Sequence, residues 1–120
     1  MRTSEAFDRV RELLHSGSCD DLRKPEYQGD TNVYVGHCYV ASEAIKSLAH
    51  DRELTACSIR HEGTTHWFLR DERGIVWDAT VEQFKTVPRY AEGVGRGFLP
   101  TKAGLSRRAE EMTRRLFDAR

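Results

Sequence analysis

The spacing of apolar residues along the chain predicts three helices. In the first, apolar side chains recur every three or four positions ahead of Gly17; they are Phe7, Val10, Leu13 and Leu14. The second is more continuously apolar, carries Cys38 in its first turn, and continues through Val40, Ala41, Ala44, Ile45, Leu48 and Ala49. The third begins near Ser106 and has the stripe Leu105, Ala109, Met112 and Leu116. Residues 16–32 are polar and interrupted by Pro25 and Gly29, which predicts a long loop.

Three short segments between the second and third helices are typical of antiparallel strands: residues 55–60, 65–70 and 74–78. The last two are separated by a short charged turn ending in glycine and predict a hairpin. A turn of helix is expected at 81–85, and the glycine-rich residues 93–97 are expected to form an irregular loop. The order of helix, loop, helix, strands and helix predicts one α+β domain over residues 1–120.

The register of this hairpin decides which side chains share a face. If Arg70 pairs with Gly74, His66 lies directly opposite Asp78 on the same face of the sheet. A slip of one residue would place the two side chains on opposite faces. In the same register Trp67 and Trp77 project from the other face, where we expect them to be core residues.

The composition allows the chain to fold around one hydrophobic core. The cysteine content indicates the cellular compartment that we expect. There are three cysteines, Cys19, Cys38 and Cys57, and no CxxC pair. This pattern argues against a disulfide framework and a zinc finger and favours a reducing compartment. No apolar run approaches the ~20 residues of a membrane span, and no secretory signal is visible. We therefore expect a cytoplasmic protein that does not bind membranes, with Cys57 buried in a strand and Cys19 exposed in a loop.

Charge is balanced overall but unevenly distributed. Residues 96–120 contain 7 basic and 3 acidic residues, whereas residues 1–95 contain 12 basic and 16 acidic ones. The basic end suggests either an anionic partner or a solvated helix face paired with the acidic remainder. Because no aromatic residues are interleaved with its arginines, we do not expect nucleic acid as a partner. Arg96 and Lys102, beside the glycine run 93–97, suggest a phosphate cradle, but the context of a P-loop is missing and an ordinary turn is favoured.

The candidate chemistry lies in Cys38, His66 and Asp78, which occur in this order on a helix start and two strands. A helix N-terminus and a nearby imidazole both favour the thiolate form of a cysteine, and a carboxylate orients the imidazole. Each residue also has a structural interpretation. Cys38 would be a small buried apolar side chain, His66 a structural histidine, and Asp78 a cap for the turn at 81–82.

A metal site is the alternative raised by two further histidines. The potential ligands in this part of the chain are His37, Cys38, His61, His66 and Asp78. Neighbouring residues such as His37 and Cys38 point in different directions on a helix, and the usual ligand spacings are missing. We therefore expect no metal, and His37 is expected to border the cleft or to hold the loop before the helix.

The segment from Gly36-His37-Cys38 to Asp78-Ala79-Thr80 resembles the core of the transglutaminase-like branch of the papain-like cysteine enzymes. The elements that carry this resemblance are Cys38 opening a helix, Ala41 and Ala44 along it, His66-Trp67 on a strand, and Trp77-Asp78-Ala79-Thr80 after a turn. The resemblance covers residues 36–80. It implies a papain-like domain with a central cysteine helix packed on a small antiparallel sheet, a Cys38–His66–Asp78 triad, a thioacyl intermediate and no organic cofactor.

The whole chain also resembles small uncharacterised bacteriophage proteins with a similar Gly-His-Cys-Tyr-Val-Ala-Ser-Glu-Ala segment. This second resemblance implies action in the cytoplasm of an infected host and brings no known activity.

The chain departs from the superfamily in one respect, because it has no Gln-Gly-x-Cys-like sequence to supply an oxyanion donor. Gln28, Asn32 and Tyr34 are the local candidates, and Trp67 is kept with His37 as a possible cleft residue. The backbone N–H of Cys38 supplies one donor by itself.

The function expected from these features is cysteine-dependent hydrolysis of a peptide, isopeptide or related amide, or acyl transfer from it. The alternative is a non-catalytic module of the same fold that binds a host protein or nucleic acid. The sequence does not fix an oligomeric state.

Overall fold

The computed structural model describes residues 1–95, 97–98 and 105–118. Its helices are α1 (Thr3–His15), α2 (Cys38–Leu48) and α3 (Arg107–Asp118). Its strands are β1 (Thr55–His61), β2 (Thr64–Arg70), β3 (Val76–Trp77) and β4 (Val94–Gly95). The strands form one antiparallel sheet in the order β3-β2-β1-β4. The predicted α+β class and the three predicted helices are confirmed. Arg96 and Lys102, the cations of the suggested phosphate cradle, lie outside the described residues.

Helix α2 lies at the centre of the hydrophobic core. Four of its side chains are 1% exposed or less: Val40, Ala41, Ala44 and Ile45. They pack with the apolar stripes of the other helices and with the sheet, through Val10, Leu14, Ala56, Leu69, Ala109 and Met112. The small side chains of Ala41 and Ala44 allow close approach, and burying each larger apolar side chain contributes about 1.5–3 kcal/mol. The helix that carries Cys38 is therefore held on several sides.

Carboxylates distant in sequence cap two of the helices. The Asp51 carboxylate accepts hydrogen bonds from the backbone N–H of Thr3 (2.8 Å) and from its hydroxyl (2.6 Å) at the start of α1. Glu43 of α2, only 3% exposed, accepts hydrogen bonds from the N–H (3.0 Å) and hydroxyl (2.7 Å) of Ser106, directly before α3. Negative charge at a helix N-terminus is stabilising. Glu43 thus ties α3 to the helix that carries Cys38.

The hairpin formed by β2 and β3 has a register two residues away from the predicted one. Leu69 pairs with Trp77 and Arg70 pairs with Val76, so the predicted pairing of Arg70 with Gly74 is wrong. The connection between the two strands is longer than predicted because it is built on the carboxylate of Asp71, which accepts hydrogen bonds from the backbone N–H groups of Arg73 and Ile75. A shift of two residues preserves the alternation of faces, so it moves no side chain to the other side of the sheet.

Two loop predictions also need correction. Cys19, expected to be exposed, is only 1% exposed and belongs to the hydrophobic core. Within the glycine-rich segment, Val94 and Gly95 form the edge strand β4, which pairs with Ser58 and Cys57 of β1. Cys57 is fully buried, as predicted. In the part of the chain that the structure describes, no helix is both long enough and apolar enough to cross a bilayer.

Candidate active site

Cys38 is the first residue of α2 and lies at the wall of a cleft of about 820 Å³. The turn before the helix requires Gly36, which has φ +84° and whose α-carbon lies so close to Tyr27 that a Cβ would be 2.9 Å from that side chain. As the first helical residue, Cys38 has a backbone N–H with no partner inside the helix. Its side chain is half-buried. The sulfur is thus placed at a helix N-terminus with access to the cleft.

His66 is fully buried on β2 and is oriented by Asp78. Its Nε2–H donates a 2.7 Å hydrogen bond to Oδ2 of Asp78, whose side chain is 4% exposed. The ring of Phe84 packs edge-on against the imidazole, with centroids 4.7 Å apart. The Nδ1 atom of His66 is buried without a hydrogen-bond partner in the described part of the chain. Nε2 is therefore held by the Asp78 carboxylate, whereas Nδ1 makes no hydrogen bond to a described residue.

Asp78 has two further hydrogen bonds. Its Oδ2 also accepts a 2.7 Å hydrogen bond from the hydroxyl of Tyr90, and its Oδ1 accepts one from the backbone N–H of Thr80 at 3.1 Å. Asp78 therefore does both things that the sequence suggests: Oδ1 caps the turn that follows, and Oδ2 orients His66. Burial and the hydrogen bond to Asp78 raise the pKa of Tyr90 well above its ordinary value, which keeps this hydroxyl a donor. No sequence pattern marks Tyr90.

The charge on His66 depends on opposing effects. Burial lowers its pKa, whereas the hydrogen bond to Asp78 and the neighbouring Cys38 thiol raise it, and the result is a pKa raised from 6.5 to about 9. The imidazole is therefore protonated at neutral pH. Because Nε2 is bound to Asp78, Nδ1 is the nitrogen left for the sulfur. Nδ1 makes no hydrogen bond to a described residue, a common state for a catalytic nitrogen without substrate.

Of the five residues predicted for the cleft or the oxyanion site, the structure brings only Trp67 to the Cys38 cleft. Trp67 lines it and packs edge-on against the ring of Tyr39, with centroids 5.1 Å apart. Asn32 instead donates from Nδ2 to the backbone oxygen of Glu82 at 3.0 Å. The exposed Gln28 donates from Nε2 to the backbone oxygen of Arg23 at 2.9 Å. These two amides hold loops rather than the site.

His37 is buried below the start of α2 and does not line the cleft. It is 1% exposed, and its Nδ1 has no hydrogen-bond partner in the described part of the chain. Burial, helped by the positive charges of Arg23 and Arg108, lowers its pKa from 6.5 to about 4. His37 is therefore neutral at pH 7 and has a structural place at the loop before the helix. Tyr34, the third local oxyanion candidate, lies near His15 instead, with its hydroxyl 3.3 Å from Nδ1.

Gln83 is a cleft residue that the sequence pattern does not single out. It lies in the short turn Val81–Gln83, which the sequence predicts, and lines the same cleft as Cys38. Its Oε1 is buried without a hydrogen-bond partner among the described residues. In the sequence, the only indication that Gln83 belongs to the site is its position five residues after Asp78.

Two alternatives from the sequence receive little support from the geometry. Among the described residues, no group of three or more His, Cys, Asp or Glu side chains is placed to hold a metal ion. In the basic helix α3, Arg115 pairs with Asp21 at 2.6 Å and with Glu111 at 3.0 Å, and Arg114 pairs with Glu111 and Asp118. Two of the four arginines in α3 are thus neutralised within the molecule.

Comparison with family models, curated proteins and solved structures finds no significant match to this chain. The geometry around Cys38 is therefore the basis for proposing a function.

Proposed function

We propose that this protein is a cysteine-dependent amide hydrolase of the papain-like, transglutaminase-like type, with Cys38 as nucleophile, His66 as acid and base, and Asp78 as the residue that orients His66. One observation carries the proposal. A fully buried imidazole is fixed by a carboxylate through Nε2 and leaves Nδ1 for a thiol at a helix N-terminus in an open cleft. This is the arrangement that a cysteine nucleophile needs.

The first half of the reaction forms a thioacyl intermediate. The Cys38 sulfur attacks the amide carbonyl carbon, a C–S bond forms, and the carbonyl oxygen becomes an oxyanion near the helix N-terminus. His66, protonated at neutral pH, delivers its proton to the amide nitrogen. The C–N bond then breaks and the amine leaves. Asp78 stays ionised and holds the imidazole orientation throughout.

The second half releases the Cys38 sulfur as a thiolate. His66, now neutral, takes a proton from water as the water oxygen attacks the thioester carbon. The C–S bond breaks, the acid product leaves, and His66 is again protonated beside the sulfur. An amine in place of water gives acyl transfer by the same steps. We favour hydrolysis because the cleft is open and the Cys38 side chain is partly exposed to solvent.

The cellular setting belongs to the same proposal. All three cysteines are free, which fits a reducing compartment such as the cytoplasm. A binding module of the same fold would keep a buried, unreactive Cys38 with His66 turned away. The partly exposed sulfur and the His66–Asp78 hydrogen bond favour the enzyme instead.

The test is the rate of alkylation by iodoacetamide between pH 5 and 9, followed residue by residue with mass spectrometry in the wild type and in His66→Gln. Glutathione in the same tube reports an ordinary thiol, whose reactivity rises around pH ~8.5. We expect Cys38 to react faster than glutathione at pH 6, and this advantage to disappear in His66→Gln. Cys19 and Cys57 serve as internal controls, because burial raises the pKa of both thiols.

Circular dichroism of the variant shows whether the fold is retained, and Asp78→Asn, which preserves the side-chain shape, provides a second variant. A Cys38 that reacts no faster than glutathione at pH 6, or that is indifferent to both substitutions in folded protein, would contradict the proposed triad.

A further inference from the structure

Three cations line the cleft that contains Cys38: Lys24, Arg60 and Arg108. Lys24 and Arg60 are exposed, and Arg108 is half-buried. Arg60 donates hydrogen bonds to the hydroxyl of Thr65 (3.2 Å) and to the backbone oxygen of Gly63 (3.0 Å), and Arg108 donates to a backbone oxygen at 3.0 Å. These neutral acceptors position the guanidinium groups without cancelling their charge. None of the three forms an ion pair with a described residue.

This local excess of positive charge is not a general property of the surface. The chain has 19 basic and 19 acidic residues. Eight arginines outside this cleft form ion pairs: Arg9, Arg11, Arg23, Arg52, Arg73, Arg89, Arg114 and Arg115. Of the 16 lysines and arginines among the described residues, 8 have no acidic partner, and three of these 8 line the cleft of the candidate nucleophile.

The acidic residue on the cleft wall does not offset these charges directly. The carboxylate of Glu62 accepts hydrogen bonds from the backbone N–H of Lys85 (3.0 Å) and from the N–H (2.9 Å) and hydroxyl (2.7 Å) of Thr86. It also lies 3.4 Å from Nε2 of His61. Glu62 is thus occupied in holding the segment after Phe84 and forms no ion pair with the three cations, so the cleft lining that the structure describes keeps an excess of two positive charges, from three cations and one carboxylate.

We propose that the Cys38 cleft selects an acyl donor that carries a carboxylate beside the scissile amide, bound by Lys24, Arg60 and Arg108. This inference rests on the proposed function and adds a substrate class to it. The planar guanidinium of Arg60 can donate two parallel hydrogen bonds to a carboxylate. The aromatic side chains of Tyr39, Trp67 and Phe84 also line the cleft, and their low dielectric strengthens the attraction between the cations and an anion. The carboxylate would come from an acidic side chain or from a free C-terminus.

The first test compares two alkylating reagents that differ in charge, iodoacetate and iodoacetamide, on Cys38 and on glutathione. We expect the ratio of the iodoacetate rate to the iodoacetamide rate to be about tenfold higher at Cys38, in the range of electrostatic steering, and to fall with added salt. Because protonated His66 also attracts an anion, the decisive comparison is among charge variants. Lys24→Gln combined with Arg60→Gln should lower the ratio severalfold. Arg2→Gln removes the same type of charge away from this cleft and should leave the ratio unchanged.

The second test separates the two sources of the carboxylate by protection against iodoacetamide. Three short peptides are compared: one with glutamate and an amidated C-terminus, one with glutamine and an amidated C-terminus, and one with glutamine and a free C-terminus. Protection by the first alone assigns the subsite to an acidic side chain, and protection by the third alone assigns it to a C-terminal carboxylate.

The outcomes separate this inference from the proposed function. If Cys38 reacts rapidly with iodoacetamide but shows the rate ratio of glutathione, or if the neutral peptide protects as well as the other two, the carboxylate subsite is wrong and the nucleophile stands. If neither reagent labels Cys38 faster than glutathione, the proposed function fails and the substrate class fails with it.

Discussion

The side chain of Gln83 has a buried amide oxygen without a hydrogen-bond partner among the described residues, and it lines the cleft of Cys38. A half-turn about the last side-chain bond exchanges this oxygen with Nε2, which has two donor hydrogens. An oxyanion formed on attack by Cys38 is best stabilised by two preorganised donors. The backbone N–H of Cys38 provides one, and we expect the amide of Gln83 to provide the other.

Replacing this amide with an apolar side chain of similar size, Gln83→Leu, separates acylation from simple alkylation. Acylation by p-nitrophenyl acetate passes through an oxyanion, so we expect the burst of p-nitrophenol to slow by about 10²–10³, the usual cost of losing one donor. Alkylation by iodoacetamide forms no oxyanion and should keep the wild-type rate. An equal loss in both reactions would show that Gln83 only supports the fold around the site.

At the scale of elements, the turn between β2 and β3 is built on Asp71. Its carboxylate, on a residue 5% exposed, accepts hydrogen bonds from the backbone N–H groups of Arg73 (2.8 Å) and Ile75 (3.1 Å) and from the indole of Trp77 (3.1 Å). It also pairs with the guanidinium of Arg73 at 2.9 Å. These bonds hold the pKa of Asp71 below its ordinary value and fix the register that leads to Asp78.

Asp71→Ala should therefore destabilise the protein by about 3 kcal/mol, because it removes a charged acceptor that bonds two backbone N–H groups and the indole of Trp77. The measurement is the free energy of unfolding from urea titration. Glu72→Ala is the matched control: it removes the neighbouring carboxylate, which forms only a partly exposed ion pair with Arg52, and should cost less than about 1 kcal/mol. Similar losses in the two variants would contradict the role given to Asp71.

The predictable part of the fold is the part decided by local pattern. Apolar spacing located α1, α2 and α3, because each helix buries one stripe in a common core. Strand β3 lies inside the predicted strand 74–78, but its register depends on Asp71 and could not be predicted; the two-residue strand β4 could not be located, since its pairing depends on contact with β1. The helix caps from Asp51 and Glu43 come from residues distant in sequence.

The same distinction applies to the candidate site. The order of Cys38, His66 and Asp78 was visible because each lies on a predicted element, and the structure places them together. The roles of Gln83 and Tyr90 depend on where irregular segments fold back over β2, and no local pattern encodes that. Conversely, Gln28 and Asn32 are near Cys38 in sequence, but they satisfy backbone groups elsewhere.

For the whole molecule, two buried histidines, His37 directly before α2 and His66 on β2, have opposite pKa shifts. His37 is kept neutral by burial near Arg23 and Arg108, with a pKa lowered to about 4. For His66, burial opposes protonation, but the hydrogen bond to Asp78 and the Cys38 thiol dominate and raise the pKa to about 9. An unfolded histidine has a pKa of ~6.5, so folding releases a proton at one site and binds one at the other.

The stability of the protein should therefore fall as the pH is lowered from about 6.5 to 4, because the unfolded state protonates His37 while the folded state resists. This loss is on the order of 3 kcal/mol. His66 should add no matching slope between about pH 6.5 and 8.5, since in the proposed pair the proton that His66 binds on folding is the one that Cys38 gives up. Urea unfolding across this range should show that His37→Gln reduces the loss on the acid side and that His66→Gln does not; an unchanged acid loss in folded His37→Gln would contradict the assignment.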